Sequence, residues 1–460
     1  MTLSTATERM IFRLAPVKTR KYVDEARSVF NSGDTALAEK MVVDVLRESP
    51  GNFFGYQLLG NILDKKGESE LAAEAYHGQF PLKLVEHYLG SVAPFPQRTT
   101  VTDRKDVHAA EKYTLPQPGG LHSEVQWRFS QREIISQGTC VDTIIDGSAW
   151  DDGHNSMAFD SFGRLIDDYV TGPVPLIYDL TSRYVPQIAG DRVFLLSARG
   201  GGNYYHWMVD ILPKLGVLQK AGYTFAETDR FVVSVFNKSF QKETLRHFGI
   251  SEHQIFSTSD ESPLFAAREL VIPRMTNVMG LAMGKWLPEF VSNQLLNVDY
   301  IGRSKNIQNK RIFVSRDPAA CNGRFINNIS EVSDLFEEKG FEIVFPERLS
   351  LSEQAHYFSE ADVIFAPHGA GLANILFCKA GATVVEFYGD HIAPCYWAIC
   401  ALKGINYYKE PCSSDLGVGL SGPDSARSLG ERRSKSFSVD MARLEMLLDK
   451  VNGEKLAEAG

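Results

Sequence analysis

Cysteine is scarce in this chain and follows no regular spacing. The 460 residues contain six cysteines with no Cys-x-x-Cys pair among them: Cys140, Cys321, Cys378, Cys395, Cys400 and Cys412. Zinc sites and disulfide frameworks both depend on such spacing. The sequence therefore predicts free thiols, as is usual in a reducing compartment.

An excess of positive charge is also missing. The 48 lysines and arginines are outnumbered by 57 aspartates and glutamates, which gives a formal net charge of −9. A general nucleic-acid-binding protein presents a basic face instead. Nucleic acid is therefore not expected among the partners.

Long hydrophobic runs are absent as well. The longest uncharged apolar stretch, 363–378, is interrupted by Pro367, His368 and two glycines. It is shorter than the ~20 residues that a membrane-spanning helix needs. The first residues also lack the apolar core and cleavage site of a signal peptide. We expect a cytoplasmic protein without a membrane span, with peripheral membrane contact as an open alternative.

Several catalytic signatures are missing too. The sequence contains no P-loop and no G-x-S-x-G nucleophile elbow. No D-x-D pair stands at the end of a predicted strand, and the acidic pairs 151–152 and 167–168 lie in turn-like sequence. We therefore expect neither a bound metal ion nor another cofactor.

What is present is the composition of a globular protein, 44% hydrophobic and 23% charged. The chain is too long for one ordinary core. We expect a small all-α segment at 1–92 and two Rossmann-like domains at 93–300 and 301–460, the last with a carboxyl-terminal helix.

A repeat with a period of 34 residues marks the all-α segment. It pairs Gly33 with Gly67 and Ala38 with Ala72. The period and the helix–turn–helix pattern resemble the tetratricopeptide repeat. Two units are fewer than the three or so that bury a continuous core, so we expect them to pack on the rest of the chain or on a protein partner. A plain helical hairpin without a binding role is the alternative.

Strands and helices alternate from residue 192 onward, which predicts an α/β fold, whereas residues 121–191 suggest only strands and loops. From residue 310 onward, four β–α steps predict a parallel sheet with right-handed crossovers. In the first stretch, strands are predicted at 192–197, 231–236 and 269–273, with helices at 204–220 and 240–248. In the second stretch, strands are predicted at 311–315, 341–345, 363–366 and 383–387, with helices near 330–339, 351–360 and 371–379. A loop at 413–436 and a helix at 439–450 follow.

The segment 362–386 predicts a site for the phosphates of a nucleotide. An apolar run leads into the turn His368-Gly369-Ala370-Gly371 and then into a helix-compatible stretch. Such a turn offers backbone N–H groups and the positive end of a helix dipole to an anion. The guanidinium groups of Arg316 and Arg324 suit diphosphate, because they bind it with two hydrogen bonds. Ion pairs with nearby surface carboxylates are the alternative.

Three further polar residues of this segment allow two interpretations each. Glu386 ends the next apolar run and is placed to meet a ribose diol, or it is a buried carboxylate in an ion pair. His368 contacts a phosphate or a sugar hydroxyl, or it satisfies a buried carbonyl. Asn374 contacts a ligand, or it caps backbone.

A second cluster surrounds a glycine run at 200–202. His206 and Asp210 are spaced i, i+4 and share one helical face. A carboxylate beside an imidazole orients the ring and raises its basicity, which suits a general base. Trp207 offers an apolar face to a sugar ring, and Asn203 precedes the helix as a further acceptor-side candidate. The alternative is a packed His206 with Asp210 paired to Lys214.

With these residues in place, the sequence resembles glycosyltransferase family 61. The string H-W-x-x-D-x-L-P-x-L at 206–215 is similar to a hallmark of that family, and other motifs follow in order. They are V-S-R at 314–316, R-x-I-x-N at 324–328, P-H-G-A-G-L-x-N at 367–374 and V-V-E at 384–386. The resemblance covers about 190–400.

The resemblance implies a GT-B-like architecture and inverting, metal-independent hexosyl or pentosyl transfer from a nucleotide sugar to a glycan or protein-linked hydroxyl. It implies that the donor is held by Arg316, Arg324, His368, Gly369, Ala370, Gly371, Asn374 and Glu386. It places His206 and Asp210 on the acceptor side as catalytic residues, with Asn203 and Trp207 as acceptor contacts. The pathway would make surface polysaccharide or protein glycan.

Two alternatives remain at this stage. One is a nucleotide-sugar epimerase or hydrolase on the same two-domain frame. The other is a non-catalytic protein whose repeat recruits partners while the α/β domains serve as a scaffold.

Overall fold

The computed structural model describes most of the chain. The described residues are 17–48, 53–76, 84, 87–88, 98–101, 103–121, 129–153, 155–170, 186–275, 280–296, 310–317, 325–389, 391–414, 417–418 and 436–459. Arg324, most of the loop predicted at 413–436 and both predicted domain boundaries lie outside them.

Four helices open the described chain. They are α1 (Val17–Asn31), α2 (Thr35–Glu48), α3 (Phe53–Lys66) and α4 (Ser69–Tyr76). Gly33 between the first two and Gly67 between the last two both have positive φ, 104° and 81°. Only glycine adopts such angles readily. The 34-residue repeat therefore appears in the structure as two equivalent turns, each of which connects two helices. The assignment to the tetratricopeptide family stays a prediction.

This helical segment packs on the first sheet. Its buried side chains, among them Leu59, Ile62 and Leu63, share one hydrophobic cluster with Trp150 and Phe159 of two strands in that sheet. Two repeat units therefore complete their core with residues from the following part of the chain.

The first sheet is mixed. It contains β1 (Arg98–Thr99), β2 (Asp103–His108), β5 (Thr139–Asp151), β6 (Ser156–Phe159), β7 (Leu165–Ile166), β8 (Gln187–Leu195), β9 (Arg230–Val233), β10 (Ile255–Ser257) and β11 (Leu264–Arg274). The strand order is β1-β7-β6-β5-β11-β8-β9-β10, and β2 also pairs with β5. Strands β11, β8, β9 and β10 are parallel to one another, whereas β5 is antiparallel to β11. The antiparallel half of this sheet is an addition to the Rossmann-like fold that the sequence predicts for this part.

Helices cover the parallel half of this sheet, and a hairpin lies outside it. The helices are α5 (Tyr204–His206), α6 (Leu212–Lys220), α7 (Ser239–His247) and α8 (Trp286–Leu296), and the hairpin pairs β3 (Glu111–Thr114) with β4 (Glu133–Ser136). Between α5 and α6, the π-turn Trp207–Ile211 continues the helix.

The second sheet is parallel throughout, as predicted. It consists of β12 (Arg311–Val314), β13 (Glu342–Val344), β14 (Val363–Pro367), β15 (Thr383–Tyr388) and β16 (Asn406–Pro411). Strands β14 and β15 are buried along their whole length, which is typical of parallel strands covered on both faces. The helices are α9 (Ile329–Glu338), α10 (Leu351–Glu360), α11 (Cys395–Lys403) and α12 (Met441–Ala459), and β17 (Ser413–Ser414) pairs with β18 (Gly417–Val418).

The structure differs from the prediction at the end of this unit. The stretch Ala370–Phe377 is a 3₁₀-helix, where an α-helix was predicted. Helix α11 and strand β16 were not predicted at all. Helix α11 is hydrophobic nearly all round because it is buried, so it lacks the polar face that makes a helix recognisable in a sequence.

Each sheet has one point at which the strand order reverses. In the second sheet, whose order is β13-β12-β14-β15-β16, the reversal lies between β12 and β14. In the parallel half of the first sheet it lies between β8 and β11. Ligands of open α/β sheets bind beyond the carboxyl ends of the strands at such points.

No helix within the described ranges is long and apolar enough to cross a bilayer.

Trp150 tests the contact between the helical segment and the first sheet. Because its side chain is 1% exposed within the shared cluster, Trp150→Ala is expected to lower the free energy of unfolding by about 3–5 kcal/mol. The control on the same strand is Ile145→Ala, since Ile145 is 59% exposed and its loss changes stability by about 0.5 kcal/mol or less. Denaturant unfolding measures both, and equal effects would contradict the contact.

Candidate active site

The glycine turn after β14 brings Arg316 and His368 together. The Arg316 guanidinium donates a hydrogen bond to the carbonyl oxygen of His368. A Cβ on Gly369 would lie 2.5 Å from Nη2 of Arg316. Gly369 is therefore needed for this close approach, whereas its extended backbone is open to any residue. The guanidinium therefore lies beyond the carboxyl ends of β12 and β14, between which the strand order reverses.

The same turn exposes backbone donors. Ala370 and Gly371 open the 3₁₀-helix, and the first N–H groups of any helix lack a partner within it. Together with Arg316 they form an arrangement that attracts an anion. Of the residues predicted to bind a donor, this turn unites Arg316, His368 and the segment 369–371.

Glu386 lies behind His368. Its side chain is fully buried, and Oε1 lies 2.5 Å from Nδ1 of His368. The other oxygen, Oε2, accepts hydrogen bonds from the hydroxyls of Tyr388 at 2.7 Å and Tyr407 at 2.6 Å. Burial raises the pKa of Glu386 to about 8, and the two hydroxyls act in the opposite direction. Both carboxyl oxygens bind protein groups, which favours the interpretation of Glu386 as a buried paired carboxylate over a direct contact with a ribose.

Asn374 joins the two halves of the chain. It is fully buried, and its amide nitrogen donates to the side chain of Gln354 at 2.8 Å and to the carbonyl of Gly371 at 2.9 Å. Its amide oxygen accepts from the hydroxyl of Tyr204 at 2.6 Å. These bonds favour a positioning role over the predicted ligand contact.

On the side of the first sheet, His206 pairs with Asp210. Nδ1 of the ring lies 2.7 Å from Oδ2 of the carboxylate, and the side chains are 40% and 21% exposed. When Nδ1–H is donated to Asp210, Nε2 carries the lone pair and can accept a proton. The ring packs on Gly200, where a Cβ would lie 2.9 Å from Cδ2 of His206.

A π-turn lies at this pair. The sequence predicts a continuous helix over 204–220, but the N–H of Leu212 bonds to the carbonyl of Trp207, five residues earlier. Pro213 follows and has no N–H to continue the regular pattern. π-turns occur often at functional sites, and this one includes Asp210.

Two predicted acceptor contacts have structural roles. Trp207 is fully buried, and its indole N–H donates to the hydroxyl of Thr244 at 2.8 Å. This burial favours a role in the core over the predicted contact with a sugar ring. Asn203 caps the helix, because its side-chain oxygen accepts from the N–H of Tyr205 at 2.9 Å. Asn203 is exposed at the end of the glycine loop, and the acceptor contact stays a prediction.

A buried polar cluster beneath the glycine loop was missed. Asp151 accepts from the hydroxyl of Ser197 at 2.8 Å, and Lys214 donates to the carbonyls of Leu196 at 2.9 Å and Ser197 at 2.5 Å. Burial raises the pKa of Asp151 to about 7 and lowers that of Lys214 to about 8. The only signal in the sequence was a lysine within the apolar run 211–218.

Tyrosines connect the two imidazole–carboxylate pairs. The rings of Tyr205 and His206 are 5.3 Å apart, those of Tyr205 and Tyr396 are 5.5 Å apart, and those of Tyr396 and His368 are 5.5 Å apart. The Tyr396 hydroxyl also donates to the carbonyl of Gly369 at 2.6 Å. The loops at the two switch points therefore form one site.

These features define a class of protein: two α/β sheets whose switch points meet, with an anion-binding turn on one side and a proton acceptor on the other. Residues 204–385 match the family model Glycosyltransferase 61. The resemblance seen in the sequence motifs is confirmed. The matched range includes Arg316 and His368 and ends one residue before Glu386.

A curated relative gives the same indication. Over 82 residues the chain is 35% identical to the EGF domain-specific O-linked N-acetylglucosamine transferase of Gallus gallus. The aligned part is 18% of this chain and 15% of that protein, so the chain matches only a small part of the relative's length.

Gly369 tests the anion-binding role of the turn. Gly369→Ala is expected to displace Arg316 and to weaken the binding of inorganic pyrophosphate about tenfold or more, as loss of a charge-assisted hydrogen bond does. Gly453→Ala is the control, since a Cβ there meets nothing within 4 Å. Isothermal titration calorimetry measures both, and equal affinities would show that Arg316 does not contact the anion.

Proposed function

We propose that the protein is an inverting glycosyltransferase that moves a sugar from a nucleotide-sugar donor to a hydroxyl of a glycan or glycoprotein. One observation carries the proposal. The turn around Gly369 and the pair of His206 and Asp210 meet across a junction built by Tyr205 and Tyr396. Displacement at an anomeric carbon needs this arrangement of a leaving-group site opposite a base.

On the donor side, the leaving group is a nucleoside diphosphate. Arg316, the N–H groups at the start of the 3₁₀-helix and the ring of His368 are fixed donors for its developing charge. Such preorganised donors are effective because they need no rearrangement during the reaction. They support our expectation that transfer does not depend on a metal ion. The two α/β units would form a GT-B-like pair with the donor on the second.

On the acceptor side, Nε2 of His206 takes the proton of the attacking hydroxyl. The acceptor oxygen bonds to the anomeric carbon while the bond from that carbon to the diphosphate oxygen breaks, and the nucleoside diphosphate leaves with the electron pair. Attack comes from the face opposite the leaving group, so configuration inverts. Asp210 orients the ring and stabilises the imidazolium that forms.

The acceptor class follows from less direct observations. The curated relative is named for transfer to EGF domains, whereas the sequence motifs favour glycan or surface-polysaccharide synthesis. We propose a hydroxyl-bearing glycan or protein as acceptor, with the helical segment α1–α4 as the place for a protein partner. Cytoplasmic location stays a prediction.

Donor binding followed by transfer tests the proposal. The purified protein is screened with UDP-, GDP- and CMP-linked sugars by thermal shift, because a ligand that binds only the folded state raises the melting temperature. The donor that binds is then incubated with candidate acceptors in EDTA, and products are identified by mass spectrometry. Stabilisation by one nucleotide class and transfer in EDTA are expected.

Three other outcomes would favour a different function or mechanism. Conversion or hydrolysis of the donor without any acceptor would favour an epimerase or hydrolase. Failure of every nucleotide to change the melting temperature would favour a non-catalytic scaffold. Transfer that disappears in EDTA and returns with a divalent ion would contradict the metal-independent mechanism alone.

Asp210 tests the base. Asp210→Asn keeps the shape of the side chain but removes the charge that stabilises the His206 imidazolium. The turnover number is expected to fall about 10²- to 10⁴-fold, the range of general-base contributions, with little change in donor affinity. Glu252→Gln is the control, since Glu252 pairs with Lys242 on the surface. Unchanged turnover in Asp210→Asn would exclude this role.

A further inference from the structure

The pair of His368 and Glu386 differs from the pair of His206 and Asp210 in its surroundings. The side chains of His368 and Glu386 are 10% and 0% exposed, and their polar atoms are 2.5 Å apart. A net negative charge is unfavourable in such a dry environment. The protein therefore favours the state in which the pair as a whole is neutral.

The neutral pair of His368 and Glu386 offers a hydrogen-bond donor to a ligand. It holds two titratable protons, one between Oε1 of Glu386 and Nδ1 of His368 and one on Nε2. The first proton belongs either to the carboxyl or to the imidazolium. In both cases Nε2 keeps its hydrogen. When the pair loses one proton and becomes an anion, the remaining proton lies between the two groups and Nε2 is bare.

We propose that Glu386 is a positioning residue that acts through His368, and that the neutral pair makes Nε2–H of His368 a hydrogen-bond donor to the diphosphate of the sugar donor. This inference rests on the donor site of the proposed function. In place of a direct contact between Glu386 and a ribose, His368 contacts the diphosphate and Glu386 lies behind His368. The tyrosines behind Glu386 set the range of pH over which the donor is present.

Several titratable groups surround the pair. They are Tyr388 on the same strand as Glu386, Tyr407 on β16, Arg316 after β12, His391 in the following loop, and Cys395 and Tyr396 on α11. Arg316 stays cationic, and burial raises the pKa values of Tyr388, Tyr407 and Cys395 above their usual range. Among Glu386 and the neighbouring groups with a resolved shift, Glu386 is the one whose pKa is brought near neutral pH, to about 8.

The sign of the pH effect follows from that shift. Below about pH 8 the carboxyl of Glu386 keeps its proton, and in the proposed arrangement Nε2–H of His368 is then available. As the pH rises through that value the pair becomes an anion, Nε2 loses its hydrogen and the diphosphate meets added negative charge. Affinity for a diphosphate is therefore expected to fall above about pH 8.

The first experiment uses inorganic pyrophosphate, which has no ribose and no base, with UDP in parallel. Glu386→Met removes the partner of the imidazole and is expected to weaken both ligands about tenfold at pH 7. A ribose contact would leave pyrophosphate unaffected and weaken UDP alone, which would overturn the inference. Glu410→Gln is the matched control, because Glu410 is a buried carboxylate on the neighbouring strand that pairs with Arg443. Its affinities should equal those of the wild type.

The second experiment uses Glu386→Gln, which imitates the protonated carboxyl. The hydroxyls of Tyr388 and Tyr407 require an acceptor at the position of Oε2, so the amide of glutamine turns its NH₂ toward Nδ1 of His368 and keeps Nε2 protonated. The ratio of variant to wild-type affinity for pyrophosphate is measured by calorimetry from pH 7 to 9, so that ionisation of the ligand cancels. The ratio is expected to be near one at pH 7 and to rise about tenfold by pH 9. A constant ratio, or no binding to the wild type, would contradict the inference.

A spectroscopic readout separates this inference from the proposed function. Nitrogen NMR of labelled histidine, assigned with His368→Gln, reports the proton on Nε2 without any ligand. Tyr407→Phe removes a hydrogen-bond donor to Oε2 of Glu386 and is expected to move the loss of the Nε2 proton to higher pH. This variant takes the place of Glu386→Gln if Glu386→Gln does not fold. A bare Nε2 at pH 7 would overturn the inference even if transfer is observed. Protonated Nε2 and pyrophosphate binding without any sugar transfer would leave it standing and reject the glycosyltransferase.

Discussion

The junction between the two switch points is the contact on which the site depends. Parallel strands deliver their loops to one edge of a sheet, but two sheets need a further constraint before their loops can act on one substrate. Here Tyr204 donates to Asn374, and Tyr205 packs against Tyr396, whose hydroxyl binds the carbonyl of Gly369. Without these contacts, the turn that receives an anion and the pair that accepts a proton would have no fixed distance between them.

The two imidazole–carboxylate pairs show how burial assigns different tasks to the same chemistry. His206 and Asp210 are partly exposed, so solvent can stabilise charge on this pair. His368 and Glu386 are almost fully buried, so the pair resists a net charge and retains its proton. Enzymes commonly separate acid from base by placing similar groups in unlike environments. In this protein the two environments lie on opposite sides of the junction.

The sequence was sufficient wherever the signal is local. The strand–turn–helix at Gly369, the spacing of His206 and Asp210 and the parallel second sheet were all predicted, because each depends on neighbouring residues. The orientation of Glu386 could not be predicted, since it depends on Tyr407 from a strand that begins 20 residues later in the chain. Likewise, Trp207 is buried in the core, where Thr244, 37 residues later in the chain, accepts its indole N–H. The mixed first sheet results from the pairing of β5 with β11, more than 100 residues apart.

The helical segment is connected to the site through the end of β5. Trp150 belongs to the hydrophobic cluster of the helices, and the adjacent Asp151 binds the hydroxyl of Ser197, where the glycine loop starts. Two residues further on, the carbonyl of Gly153 accepts from the N–H of Gly200, against which His206 packs. Two repeat units are too few to stand alone, and the sheet completes their core. The helices also cover the end of β5, which holds the glycine loop against His206. The packing of the helical segment and the position of the base are therefore physically linked.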